Sequence, residues 1–231
     1  MPFVVLEGLD GAGKSTQINK LTGLLAERGV SYEYLHFPRF DAPVYGDLIA
    51  RFLRGELGSL DQVNPYLVAV IFAGDRADAA QMMRRWLDEG KWVITDRFVY
   101  SNVAYQCAKL ESAADREALR RWIIELEFGY NKVPRPDVSL FMDVPFGFTE
   151  MKLSESRRGD DRDYLNGAED IHERSLDLQR RVRAEYLECA GIDDELKVVD
   201  CSDGGNMMDT PENIFGRIVE ALKPLLNDRH E

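Results

Sequence analysis

Cysteine is scarce in this chain: three in 231 residues, Cys107, Cys189 and Cys201, an odd number at wide spacing. That excludes a disulfide framework, leaves no CxxC pair to begin a zinc site, and fits a reducing cytoplasm. No stretch reaches the roughly 18 to 20 consecutive apolar residues of a membrane span. The first residues, Met1-Pro2-Phe3-Val4-Val5-Leu6-Glu7, also lack the basic start of a secretory leader. Secretion and membrane insertion are therefore not expected. Positive charge is in deficit, with 29 Lys and Arg against 41 Asp and Glu and a formal net charge of -12. Such a surface repels a nucleic-acid backbone. A small phosphorylated molecule needs only a few cations focused in a cleft. Internal repeats, low-complexity tracts and Ser/Gly linkers are missing too, so one domain over residues 1–231 is expected.

What is present is the balance of a globular protein, 45% apolar and 30% charged, enough to bury a continuous core. The order of elements alternates. Phe3 to Leu6 is a β-prone run; Gly8 to Gly13 is a loop; Ile18, Leu21, Leu24 and Leu25 then recur at helical spacing up to Gly29. Further strands are predicted at Tyr32 to His36, Trp92 to Thr95, Val138 to Val144 and Leu196 to Val199. Helices are predicted from Val44 to Leu53, from Tyr66 to Asp88, around Leu119 to Leu126, from Asp170 through Tyr186, and after Thr210-Pro211. Strands separated by helices imply an α/β fold in three layers: a parallel sheet of about five strands, helices on both faces, and ligands beyond the strands' carboxyl ends.

Gly8-Leu9-Asp10-Gly11-Ala12-Gly13-Lys14-Ser15 matches the phosphate-loop pattern G-x-x-x-x-G-K-[ST] and stands between a predicted strand and a predicted helix, as the motif requires. Its glycines let main-chain N–H groups converge on phosphate oxygens. The helix N-terminus adds a favourable dipole, Lys14 reaches the transferring phosphates, and Ser15 offers a hydroxyl to Mg2+. Asp10 is the odd member, since a carboxylate facing phosphates would be repelled. It is expected to turn away, toward a sugar hydroxyl or a hydrated Mg2+ of a second ligand. A solvated turn residue is the plain alternative.

A second group of residues lies further along the chain. Asp96-Arg97 ends a predicted strand, where Asp96 could hold Mg2+ through water and Arg97 could grip a phosphate; a surface ion pair would look the same. Ser101, Asn102, Tyr105 and Gln106 offer a hydroxyl, amides and a phenol at spacings of three and four, one polar surface against a base and sugar. Phe72 and Arg76 are four apart on the long helix, a ring to stack and a guanidinium to hydrogen-bond. Taken alone, that pair reads rather as a core Phe beside a solvated Arg.

The whole arrangement resembles the thymidylate kinase family of phosphate-loop nucleoside monophosphate kinases. The resemblance rests on Gly8 to Thr16, Phe37-Pro38-Arg39, Phe72-Ala73-Gly74-Asp75-Arg76, Asp96-Arg97 and Ser101-Asn102-Val103-Ala104-Tyr105-Gln106, in family order across essentially the whole chain. It implies transfer of the γ-phosphoryl group of ATP to dTMP with Mg2+, in a cytoplasmic homodimer built on long helices. By the same resemblance Phe72 stacks on thymine, and Arg76 and Asn102 hydrogen-bond its edge. Arg97 and Arg39 hold the dTMP phosphate, Tyr105 crowds a ribose 2′-hydroxyl, Asp10 meets the 3′-hydroxyl, and Asp170 and Glu173 lie near the sugar. Two positions depart from the family: Phe98, where Tyr is usual after Asp-Arg, and Phe40.

The family supplies a catalytic arginine from the phosphate loop or from a lid. Ala12 fills the loop position here, so a lid over residues 155–169 is expected to bring Arg157, Arg158 or Arg162 to the γ-phosphate. These arginines alternate with Asp160, Asp161 and Asp163, which alone would suggest only a solvated loop. The lone histidines, His172 included, are expected to face solvent. Asp200 to Asn206 is a candidate loop beside the adenine, or a flexible connection. Two rival readings remain: a kinase for another nucleoside monophosphate, and an ATP-binding switch with no acceptor.

Overall fold

A computed structural model describes residues 1–60, 62–154, 165, 170–172 and 175–227. Five strands, β1 (Phe3–Gly8), β2 (Tyr32–His36), β3 (Trp92–Asp96), β4 (Val138–Asp143) and β5 (Leu196–Asp200), form one sheet in the order β2-β3-β1-β4-β5. Every pairing is parallel. Parallel neighbours need crossovers, and helices supply them: α1 (Lys14–Glu27), α2 (Tyr45–Leu53), α3 (Pro65–Asp88), α4 (Val99–Cys107), α5 (Ala113–Ile124), α6 (Phe146–Ser154) and α7 (Leu176–Ala190), with α8 (Pro211–Asn227) following the last strand.

Alternation along the strands splits the core in two. Val4, Leu6, Ile94, Leu140 and Met142 pack with Ile18, Leu21 and Leu25 of α1 and Ile214, Ile218 and Leu222 of α8. On the other face Phe3, Val5, Val93 and Phe141 pack with α3, α4, α5 and α7 through residues such as Ala79, Val103, Leu119 and Val182. Each of the larger buried side chains contributes roughly 1.5–3 kcal/mol of transfer free energy. The three layers and the five strands are those the sequence predicts.

Three boundaries differ from expectation. Helix α7 begins at Leu176, not at Asp170, because Ser175 caps it by accepting the N–H of Leu178 at 3.1 Å. Asp170 instead accepts the N–H of His172 at 2.7 Å, an Asx-type turn. Helix α6 was not anticipated. Beyond α5 the chain continues as a π-helical turn, Glu125–Tyr130, closed by the N–H of Asn131 on the carbonyl of Leu126 at 2.8 Å. Among the described residues no helix is long and apolar enough to cross a membrane.

The motif Phe72-Ala73-Gly74-Asp75-Arg76 has a packing logic of its own on α3. A β-carbon at Gly74 would run into the end of the Tyr45 ring, so any larger residue there would make that ring shift. Asp75 accepts the backbone N–H of Arg39 at 2.9 Å and its Nε at 2.8 Å, tying the Phe37-Pro38-Arg39 segment, whose Phe37–Pro38 bond is cis, to the same helix.

Candidate functional site

Beyond the carboxyl ends of β1 and β3 opens a cavity of about 410 Å³. It is lined by Asp10 to Thr16 on one side and by Phe37, Pro38, Phe72, Arg76, Asp96, Arg97, Ser101, Asn102, Tyr105, Gln106 and Asp170 on the other. Most of the residues singled out in the sequence thus meet around one space. His36, Phe40, Leu53 and His172 complete the wall.

The phosphate loop closes on itself through the N–H of Ala12 on the carbonyl of Leu9 at 3.2 Å. Gly13 holds φ 81, a conformation that a β-carbon disfavours, and so turns the chain into α1. Lys14 is buried. Its Nζ donates to the carbonyl of Leu9 at 3.3 Å and stands 3.6 Å from Asp96 Oδ1. Burial, reinforced by the nearby Arg97 charge, lowers the Lys14 pKa. Ser15 and Thr16 are exposed to the cavity. Asp96 Oδ1 is buried without a hydrogen-bond donor. A hydroxyl and a carboxylate facing a phosphate-sized space are the hard oxygen donors that suit Mg2+, which takes one or two protein oxygens and completes its shell with phosphates and water. Among the described residues no group of three or more His, Cys, Asp or Glu is placed to hold a metal.

Asp10 faces side chains of the opposite wall. Its Oδ1 accepts Arg97 Nη2 at 2.7 Å, and its Oδ2 accepts the Tyr105 hydroxyl at 2.8 Å and Gln179 Nε2 at 3.4 Å. Arg97 also donates to Ser101 Oγ at 3.2 Å and lies 5.1 Å from the Tyr105 ring centroid. Burial works against its charge, but Tyr105 and Asp10 outweigh that cost and keep the guanidinium protonated. Arg97 therefore presents a fixed, buried cation at the cavity wall.

Elsewhere on the cavity wall, Arg76 donates through Nε to both oxygens of Glu127 at 3.0 and 3.1 Å, and its Nη2 bonds the same carboxylate. Glu127 comes from the π-helical turn and is fully buried. Asn102 Nδ2 donates to the carbonyl of Ala69 at 3.1 Å and to Glu127 Oε1 at 3.0 Å. Both partners are acceptors, which fixes the amide's orientation and leaves Asn102 Oδ1 as a buried acceptor without a donor. Phe72 is half-buried and packs edge-on against Phe52 at 6.4 Å. Gln106 Oε1 accepts Lys109 Nζ at 2.7 Å. Phe98, where the family has Tyr, is buried against Phe3 and Phe37 at 5.0 and 5.5 Å, so a bare ring suits its place.

Arg39 stands apart. Its guanidinium is engaged by Asp75, by the carbonyl of Asp75 and by Asp78 at 2.6 Å, and it does not line the cavity. His172, expected in solvent, is buried: its ring packs 5.0 Å from Tyr105 and 5.5 Å from Phe52, and burial, with the Lys109 charge, holds it neutral. The turn carrying it is tied to α2 by the N–H of Ile171 on the carbonyl of Leu53 at 2.9 Å, a long-range contact that local spacing does not announce. Arg157, Arg158, Arg162 and Glu173, with the rest of the expected lid apart from Leu165, lie outside the described residues. The loop after β5 folds back on the phosphate loop: Ser202 bridges Met208, Met208 packs over Gly13, and Arg217 Nη1 holds the carbonyls of Asp200 and Ser202 at 2.7 and 3.1 Å.

Sequence reasoning missed Glu7, Glu127, Gln179 and Tyr186, the partners that hold the cavity's polar groups in place. Glu7 carried a signal: a lone carboxylate in a central strand buried on both faces has to be paired. Glu127, 51 residues from Arg76, carried none.

Comparison with known proteins points to one family. The thymidylate kinase family model matches residues 6–209. The chain is similar to thymidylate kinase of Mycobacterium tuberculosis, 38% identical over 189 residues that span 81% of this chain and 85% of the relative. A probable thymidylate kinase of Thermococcus kodakarensis is 32% identical over 231 residues, 98% and 99% of the two chains. The solved structure of thymidylate kinase from Candida albicans shares the fold at TM-score 0.71 and 23% identity, covering 98% of this chain and 92% of that one. By motif, fold and relatedness over nearly its full length, the chain belongs to the thymidylate kinase family.

Proposed function

We propose that this protein transfers the γ-phosphoryl group of ATP to dTMP, giving dTDP and ADP. The observation that carries the reading is the two-sided cavity: a main-chain phosphate cradle faces a buried guanidinium, Arg97, with base-reading groups beyond it. A nucleotide switch needs only the first side.

A phosphate oxygen of dTMP attacks the γ-phosphorus while the bond to the β,γ-bridging oxygen breaks, and ADP leaves with that electron pair. The nucleophile is already anionic, so no strong general base is required. Lys14 neutralises charge on the transferring group and Arg97 holds the acceptor phosphate, so positioning and electrostatics supply the catalysis. Ser15 and Asp96 would hold Mg2+, which would supply charge neutralisation at the donor phosphates. Because Ala12 leaves the loop without an arginine, one of Arg157, Arg158 and Arg162 completes the charge at the γ-phosphate. Adenine lies against the loop around Met208.

Base choice follows from Asn102. Its unpaired Oδ1 accepts the N3–H of thymine or uracil, whereas cytosine offers an acceptor at that position. Phe72 stacks on the ring, and Arg76 keeps a donor for a base carbonyl. Tyr105, locked on Asp10, fills the space of a 2′-hydroxyl, and Asp10, with Asp170 and Glu173, serves the 3′ side. Arg39 reaches the acceptor phosphate only by leaving Asp75 and Asp78. A homodimer is part of this reading. Leu67 (62% exposed) and Val70 (46%) form an apolar strip on α3, whereas Val68 is core, Phe72 faces the cavity and Met82 packs inward.

A coupled ADP-release assay across monophosphates tests the reading. Turnover is expected with dTMP, less with dUMP and little with UMP; equal rates with dTMP and dCMP would refute the role of Asn102. Arg97→Ala should abolish turnover and spare ATP binding.

A further inference from the structure

Glu7 takes no part in the chemistry above, yet it sits fully buried one residue before the phosphate loop. An isolated carboxylate there would be costly. Its Oε1 accepts the N–H of Phe98 at 2.9 Å and of Ser101 at 3.2 Å; its Oε2 accepts the Ser101 hydroxyl and the Tyr186 hydroxyl, the latter at 2.9 Å. All four partners are donors, the set that satisfies an ionised carboxylate. Burial pushes the Glu7 carboxyl above its ordinary range, opposed by the Ser101 hydrogen bond and the Arg97 charge.

The two backbone donors are the N-cap and third-position N–H groups of α4. Phe98, the N-cap residue, has no side chain able to cap. A carboxylate from β1, 91 residues away, does for both N–H groups what a capping box does locally. Immediately before that cap stands Arg97, whose φ of 65 lies in the left-handed region that residues with a β-carbon avoid. Its own N–H is held by the carbonyl of Leu6 at 2.9 Å, so consecutive residues of β1 grip the turn on both sides of Arg97. Ser101 extends the grip to the guanidinium: it gives its hydrogen to Glu7, so an oxygen lone pair is left to receive Arg97 Nη1. Tyr186 lies over Phe141, its ring stacked at 4.5 Å, and 2.7 Å from Ser101 Oγ.

We propose that Glu7 is the positioning residue of the acceptor-phosphate site, fixing both the left-handed turn at Arg97 and the Ser101 hydroxyl that aims the guanidinium. This rests on Arg97 holding the acceptor phosphate. Glu7→Gln keeps the shape but sets an amide NH2 where Oε2 was. Ser101 must then accept that N–H, and its own hydrogen turns toward Arg97.

Steady-state kinetics of full-length Glu7→Gln should show kcat/KM for dTMP reduced about 100-fold, the size of effect a misplaced reacting group produces. Affinity for a fluorescent ATP analogue measured without acceptor should stay within about twofold of wild type, because the donor loop keeps its own contacts. Combined with Arg97→Ala, which lacks turnover, the loss of dTMP affinity read by calorimetric titration should be far from additive, since both substitutions remove one device. Wild-type kcat/KM in Glu7→Gln, equal losses of ATP and dTMP affinity, or additivity with Arg97→Ala would each overturn the proposal. If Glu7→Gln does not fold, Ser101→Ala and Tyr186→Phe decide: a loss confined to dTMP kinetics in Ser101→Ala supports it, and unchanged kinetics in both variants overturn it. Should the wild-type protein itself show no turnover with dTMP, the functional reading fails first, and the two failures are distinct.

Discussion

On the function proposed above, the donor and acceptor halves of the cavity solve the same problem, holding a phosphorylated molecule, with different materials. The donor half is made of main chain: a glycine at φ 81, a loop closed on itself and a helix N-terminus, with Lys14 as its buried cation. The acceptor half is made of side chains, and both arginines that line it carry a carboxylate partner: Asp10 on Arg97 and Glu127 on Arg76. Backbone shape needs no partner to persist. A buried guanidinium does, because its charge would otherwise be stranded in a low-dielectric interior. The acceptor site is thus assembled together with the core, and the donor site is assembled by its own few residues.

The sharpest way to break that contrast is Glu127→Ala. It strands Arg76 and takes one acceptor from Asn102, so stability should fall by about 3–5 kcal/mol, read as a shifted midpoint in urea denaturation. A loss below about 1 kcal/mol would mean the pair behaves like a surface one. Gly13→Val tests the donor side. Forcing a β-branched residue to positive φ costs about 1–2 kcal/mol, and affinity for an ATP analogue should drop about tenfold while dTMP still binds. Equal loss of both ligands would show that the halves are not separate.

The smallest expected effect concerns Lys109, half-buried between Gln106 and the Phe52 ring. Burial lowers its pKa from 10.5 to about 7, opposed by Asp170. Between those values the unfolded chain binds more protons than the folded one, so this group makes stability rise with pH from about 7 upward. Lys109→Met should remove that rise. Melting temperatures of the two proteins should therefore differ most near pH 7 and converge as the pH approaches 10.5; a constant difference would disprove it.

The same contrast explains how much could be read in advance. The phosphate loop is contiguous, and its conformational demands appear as glycines at fixed spacing, so its role was legible from residues 8–15. Arg97, Asn102 and Tyr105 were legible because one turn and one helix bring them together. Their partners were not: Glu7, Glu127 and Gln179 reach the site from β1, the π-helical turn and α7, and no local pattern couples positions so far apart. His172 shows the limit plainly. A polar residue in a charged stretch reads as solvated, and only its docking over Phe52 and Tyr105 buries it.

The π-helical turn at Glu125–Tyr130 has a consequence for how this chain can vary in length. A π turn holds one residue more than the α turn it replaces. Deleting a single residue from it would let the segment relax to a regular α-helix while the residues on either side keep their phase, because the longer π turn and the α turn each complete one rotation. Only residues inside the turn would be re-phased, and Glu127 is one of them, so its hold on Arg76 would be lost with no change in amino-acid chemistry. Insertions and deletions, more than substitutions, are what this stretch should fail to tolerate.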